Sequence, residues 1–139
     1  MSATTADLSG TNEGHGLRRA WAVFAGLLVI VTLSIATDAV LHATGIYPPI
    51  PQRMSGGLFV LALSYRIAYT VGGCYLAARL APDHPMRHAL AIGAIGLVTG
   101  TAGAAAMWAF APAWYSLGNV AIALPCAWLG GRLCEASRA

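Results

Sequence analysis

The sequence predicts an all-α, polytopic membrane protein: an up-down-up-down bundle of four transmembrane helices. Three observations carry that expectation. Of the 139 residues, 58% are hydrophobic and only 9% are charged, whereas a water-soluble domain carries roughly 25% charged residues. The apolar residues fall into runs longer than the roughly 20 residues that cross a hydrocarbon core. Prolines, glycines and arginines collect between those runs, where helices must stop.

Taken in order, residues 1–17 are expected to form a disordered cytoplasmic tail. Thr4, Thr5, Asp7, Ser9, Thr11, Asn12 and Glu13 make it polar, and too little side chain is available to offset the entropy of ordering it. The transmembrane domain is expected over 18–134. Arg18 and Arg19 precede its first span, about 20–41. That run is too long for a signal peptide and offers no clean small-x-small cleavage site before Asp38 and His42, so it is expected to stay attached. The arginine pair also lacks the context of a twin-arginine export signal.

Gly45, Pro48, Pro49 and Pro51 end the first helix by removing donors and restricting the residues before each proline. The second span is expected over about 58–80, closed by Arg79, Pro82, Asp83 and Pro85. So short a turn requires the next helix to return antiparallel beside it. The third and fourth spans are expected over about 86–110 and 112–133. An unbroken helix over both would be about 70 Å long, too long for one crossing. Pro112, with Trp108, Trp114 and Tyr115 around it, is therefore read as an interfacial turn. Residues 135–139 are a second cytoplasmic tail.

The eight basic residues are all arginines, and their distribution is topological information. Arg18, Arg19, Arg79, Arg87, Arg132 and Arg138 fall on one side of this map, and Arg53 lies in a loop on the other. Basic loops stay in the cytoplasm, so both termini are expected inside, with the bacterial inner membrane as the expected location. Because the arginines flank apolar runs and form no aromatic-interleaved patch, nucleic acid is excluded as a partner. Membrane lipids are the expected surroundings. Cys74, Cys126 and Cys134 form no CxxC pair and read as small buried hydrophobes.

Small residues recur along the helices. Ala89, Gly93, Gly96 and Gly100 repeat at three or four on the third span, Gly73 and Ala77 on the second, and Ala123, Ala127 and Gly131 on the fourth. Gly73, Gly93, Gly96, Gly100 and Gly131 are thus expected as helix-packing positions, where backbones approach closely. The pattern does not choose between contacts inside the chain and contacts with a second copy or another membrane protein.

Asp38 and Arg66 are the acidic and basic residues lying well inside apolar runs. An unpaired ion there is expensive, and an opposed pair is tolerated and often functional. His42 follows Asp38 at i+4 on the same helix face, placing a ring nitrogen within expected reach of the carboxylate. Tyr65, Arg66 and Tyr69 share one side of the second span, and Ser116 and Asn119 stand at i and i+3 on the fourth. All seven residues fall in the outer half of the membrane and form the expected ligand-binding or proton-coupling group. Two ligands at Asp38 and His42 beside a guanidinium do not make a metal site, and His84 and His88 read as a hydrated helix start.

No HExxH, nucleophile elbow, phosphate loop or dinucleotide fingerprint is present, so no catalytic residue or cofactor is assigned. The expected function is binding or transport of a small polar or anionic solute through this outer pocket, with transport requiring a homo-oligomer. The alternatives are a structural or assembly subunit of a membrane complex and, less well supported, an enzyme acting on lipid or quinone.

Overall fold

A computed structural model describes the backbone of residues 3–49 and 51–139, and the side chains from Gly14 onward within them. It is all-helical, with α1 at Ala3–Ala43, α2 at Gly56–Leu80, α3 at Pro85–Ala106 and α4 at Ala113–Arg138. Each of the four is long and apolar enough to cross a membrane, α1 through its stretch Gly14–Ala43.

Three boundaries differ from expectation. The backbone is helical from Ala3, through most of the stretch expected as a tail. Once the apolar span has nucleated, each further residue adds a hydrogen bond at little cost. Met1, Ser2 and the side chains before Gly14 lie outside the described residues. At the other end α4 runs on to Arg138, whose guanidinium donates to the carbonyls of Ala78 at 3.1 Å and Arg79 at 2.7 Å. A cation thus closes the exposed C-terminal carbonyls of α2 while extending α4. Finally, α3 ends at Ala106, about one turn before the expected 110. Beyond it the amides of Phe110 and Ala111 both turn back onto the Met107 carbonyl at 3.0 Å, and the Ala109 carbonyl in this turn accepts a hydrogen bond from Arg53 at 3.0 Å.

The core is built from small residues. Cys74, Ala77, Ala78, Ala89, Ala127 and Cys134 are fully buried with Ile92 among them. α2 and α3 each touch the other three helices, whereas among the described residues no contact joins α1 to α4. The cysteines behave as the small hydrophobes expected of them; all three are free and buried.

Where the helices cross, glycine decides how close they come. A Cβ on Gly73 would lie 2.7 Å from the carbonyl oxygen of Gly26, and one on Gly26 would lie 2.6 Å from that of Gly73. The α1–α2 crossing is therefore backbone on backbone. Gly130 does the same for α2 and α4, 2.7 Å from the Val71 carbonyl, and Gly93 seats against Ala127 of α4. Gly131 faces Met86, whose flexible side chain can yield. Gly96 and Gly100 differ from expectation: a Cβ would meet only Ala123 at 3.6 Å and Val120 at 3.8 Å, ordinary contact distances. These two glycines leave space.

Arg19 forms a fork with Asp83, its Nε on Oδ1 at 3.0 Å and its Nη2 on Oδ2. This exposed pair ties the start of α1 to the α2–α3 turn. The arginine's hydrogen bonds hold the Asp83 carboxyl below its ordinary value, with the neighbouring positive charge adding to the effect.

Two outcomes follow. Gly73→Ala should destabilise the protein by about 1–3 kcal/mol through overpacking against backbone, whereas Gly72→Ala, with nothing within 4 Å, should be neutral or slightly stabilising; thermal unfolding in detergent separates them. Because Asp83 has a lowered folded pKa, its stabilisation is complete above the ordinary value of 3.8 and is lost as pH falls through the folded value. The stability difference between wild type and Asp83→Asn should therefore shrink below about pH 4, as followed by unfolding across a pH series.

Candidate functional site

Asp38 arrives on α1 near its C-terminal end and Arg66 on α2, and the two meet through one hydrogen bond, Nη2 to Oδ2 at 2.9 Å. Their side chains are 31% and 36% exposed within the chain. The carboxylate's other oxygen, Oδ1, accepts the hydroxyl of Tyr65. Tyr65 has spent its single proton there, so at 3.2 Å the Tyr47 hydroxyl must donate to it. A relay of hydrogen bonds thus runs from Tyr47 through Tyr65 to Asp38, each bond polarising the next.

The arrangement leaves Arg66 half used. Arg19 shows what a filled fork looks like: Nε and Nη2 both engage one carboxylate. At Arg66 the oxygen that Nε would take belongs to Tyr65, and Nε is buried with no hydrogen-bond partner. An unsatisfied buried donor costs roughly 1–3 kcal/mol, more on a charged group. It is also an open valence for an acceptor.

Tyr47 is the member of this group that the polar residues of the spans did not reveal. It sits beyond the end of α1, yet only 3% of it is exposed. Gly45, at φ +74, takes the left-handed turn that other residues avoid. The chain then folds back so that the Tyr47 amide donates to the Leu41 carbonyl at 2.9 Å. Burial raises its phenol above the ordinary value and keeps it protonated, hence a donor. The signal for this fold-back was Gly45 followed by an aromatic residue and two prolines.

The other expected members are placed as follows. His42 makes its bond with Asp38, at 2.9 Å, to the backbone carbonyl and not to the carboxylate. A carbonyl only accepts, so Nδ1 carries the proton. The ring packs edge-on against Tyr47 at 5.2 Å. Tyr69 pairs with Thr37 of α1 at 2.9 Å, a second polar clasp between α1 and α2. Asn119 donates to the Tyr115 carbonyl of its own helix at 3.1 Å, and Ser116 is 3% exposed. Among the described residues neither is hydrogen-bonded to the Asp38–Arg66 pair.

What joins Ser116 and Asn119 to Arg66 is space. A cavity of about 360 Å³ is bordered by all four helices, with Ser34, Arg66, Thr70, Ser116 and Asn119 among its polar walls. Gly96, Gly100 and Gly103 form part of the opposite wall. A second cavity of about 500 Å³ lies toward the α1–α2 loop, bordered by Asp38, His42, Tyr47, Phe59 and Gln52. Arg66 and Tyr115 border both. Among the described residues no three His, Cys, Asp or Glu side chains gather as metal ligands.

No family model, curated protein or solved structure matches this chain.

The pair's contribution is open to a direct measurement. Asp38→Ala leaves the guanidinium without a counter-charge among apolar helices and should cost about 3 kcal/mol. Asp38→Ala combined with Arg66→Ala should cost less than Asp38→Ala alone, because no ion is stranded. Reversible unfolding in detergent of both single variants and the double variant gives the coupling.

Proposed function

We propose that this chain is an integral membrane protein that binds a small anionic solute in the four-helix cavity, with Arg66 as the anchor. The observation that carries the reading is Arg66 on the border of two cavities with its buried Nε left without a hydrogen-bond partner. A solute oxyanion would accept from Nε and from the hydroxyl and amide groups of Ser116 and Asn119. Asp38 neutralises the guanidinium when the cavity holds no solute, and Tyr65 keeps Asp38 from filling the fork. His42 borders the outer cavity and would be the group that exchanges protons there.

The proposed topology is an up-down-up-down bundle with both termini in the cytoplasm of a bacterial cell and the cavity opening outward. In its support, Arg19 reaches Asp83 and Arg138 reaches the end of α2, gathering the arginine-rich segments together. Arg53 reaches the α3–α4 turn at the other end. That distribution obeys the positive-inside rule. Solute passage would be the property of an assembly of copies, because four helices around one cavity leave little room for a path.

The test is stabilisation by acetate, succinate and inorganic phosphate, each titrated against sodium chloride at equal ionic strength. At least one should raise the unfolding temperature saturably, as a ligand confined to the native state must. Gly100→Leu fills the glycine wall and should abolish the shift while leaving the fold intact. Tyr65→Phe frees Asp38 Oδ1 for the Arg66 Nε and should weaken the shift with little loss of stability. If none of the anions acts saturably on the wild type, Arg66 is a brace and not an anchor.

A further inference from the structure

At the arginine-rich end α1 and α3 stand apart, and the space between them shares only Leu27 with the four-helix cavity. Their contact is the sparsest of the touching helix pairs. They are held together at two levels: by Arg19 and Asp83 at the surface, and deeper where Gly26 lies against Ile92. Between these levels an open groove of about 490 Å³ runs along the two helices. Ala20, Val23, Phe24, Leu27 and Ala91 line it with one polar side chain, His88, among them, and Arg19 and Arg87 stand at its mouth. From Arg19 to Leu27 the helix descends about 12 Å, so the groove passes from headgroup depth into the hydrocarbon.

The charges at the mouth are not balanced. Arg19 directs Nε and Nη2 at Asp83, which leaves Nη1 without a hydrogen-bond partner among the described residues. Arg87 is exposed and, among the described residues, makes no hydrogen bond or ion pair. It stands in the first turn of α3, where no acidic side chain offsets it; a cation at that end opposes the helix dipole. An anion placed there would relieve both. A groove with an apolar floor in the bilayer and arginines at headgroup level fits one chemistry, since basic pockets between transmembrane helices take anionic lipid headgroups.

We infer that the α1–α3 groove is a binding site for an anionic phospholipid, its phosphate held by Arg87 and Nη1 of Arg19 and one acyl chain laid along Val23, Phe24, Leu27 and Ala91. The lipid completes the weakest seam of the protein and holds α1 to α3 without displacing Asp83.

Thermal unfolding of the delipidated full chain in a non-ionic detergent tests this, with added phosphatidylglycerol, phosphatidylcholine of the same acyl chains, or glycerol phosphate. Phosphatidylglycerol should raise the unfolding temperature by several degrees more than phosphatidylcholine. Arg87→Gln and the groove-filling Ala91→Phe should each remove most of that difference, whereas Arg132→Gln, a cation outside the groove, should leave it unchanged. Equal shifts with the two lipids overturn the proposal. So do equal losses in Arg87→Gln and Arg132→Gln, which would mean bulk charge, and full stabilisation by glycerol phosphate, which would mean a phosphate site without a chain. Ala91→Phe keeping the full lipid effect would likewise overturn it. None of these readouts depends on whether a solute binds at Arg66.

Discussion

A guanidinium in the apolar middle of α2 has to find a counter-charge, and Asp38 on α1 is the one that reaches it. Much of the end of the molecule nearest the α1–α2 loop follows from that requirement. Among the described residues α1 makes no contact with α4, so its attachment rests on α2 and a thin seam with α3. The glycine crossing at Gly26 and Gly73 brings the two backbones together, and the Asp38–Arg66 and Thr37–Tyr69 contacts join the same helices nearer the α1–α2 loop. Steric approach and polar bonding act on one interface. Neither alone fixes its rotation, because small residues permit sliding and a long arginine tolerates it.

Glycine serves two opposite ends in this fold. At Gly26, Gly73, Gly93 and Gly130 the absent side chain admits a neighbouring helix to a distance that alanine would forbid. At Gly96, Gly100 and Gly103 it leaves a wall without substance, and the cavity takes its volume from that. The difference comes from α4. It meets α3 closely at Ala127 and Gly131, then carries Ala123 and Val120 past the later glycines at ordinary contact distance. One repeat on one helix therefore gives a tight seam at one end and an open pocket toward the other.

The sequence revealed the helices more readily than what they enclose. Length, apolarity and proline placement located all four spans, because crossing a bilayer imposes a minimum run that few other folds require. The ends were less legible. The early stop of α3 leads into a turn closed on the Met107 carbonyl and held by Arg53, fifty-six residues from Ala109, and the extension of α4 goes with Arg138 reaching α2. Asp38, Arg66 and Tyr65 were legible as a group, since charge at membrane depth demands a partner and helical spacing supplies the neighbour. Tyr47 was not, because its burial is the work of a left-handed glycine and a chain reversal. The periodicity of α3 showed small residues at Gly96 and Gly100 but not whether anything would press against them.

If Arg66 anchors an anion as proposed, its pairing lies between two arrangements that would each defeat the site. A guanidinium with no carboxylate nearby would bind an anion strongly, but the empty protein would carry an uncompensated charge among apolar helices, at a cost near that of a whole membrane-buried ion. A guanidinium engaged through both Nε and Nη2, as Arg19 is with Asp83, folds readily and has no donor left on that edge. Tyr65 produces the intermediate state by occupying one carboxylate oxygen, and Tyr47 strengthens its claim by donating to it. The charge is then neutralised while Nε stays unsatisfied. A neutral pair with one open donor attracts anions less strongly at long range than a bare arginine does, so on the proposed reading discrimination would come from the cavity: its volume, its hydroxyl and amide walls, and the exclusion of water that makes an unpaired donor costly. On that reading the residues that hold the carboxylate back would matter as much to recognition as the guanidinium itself.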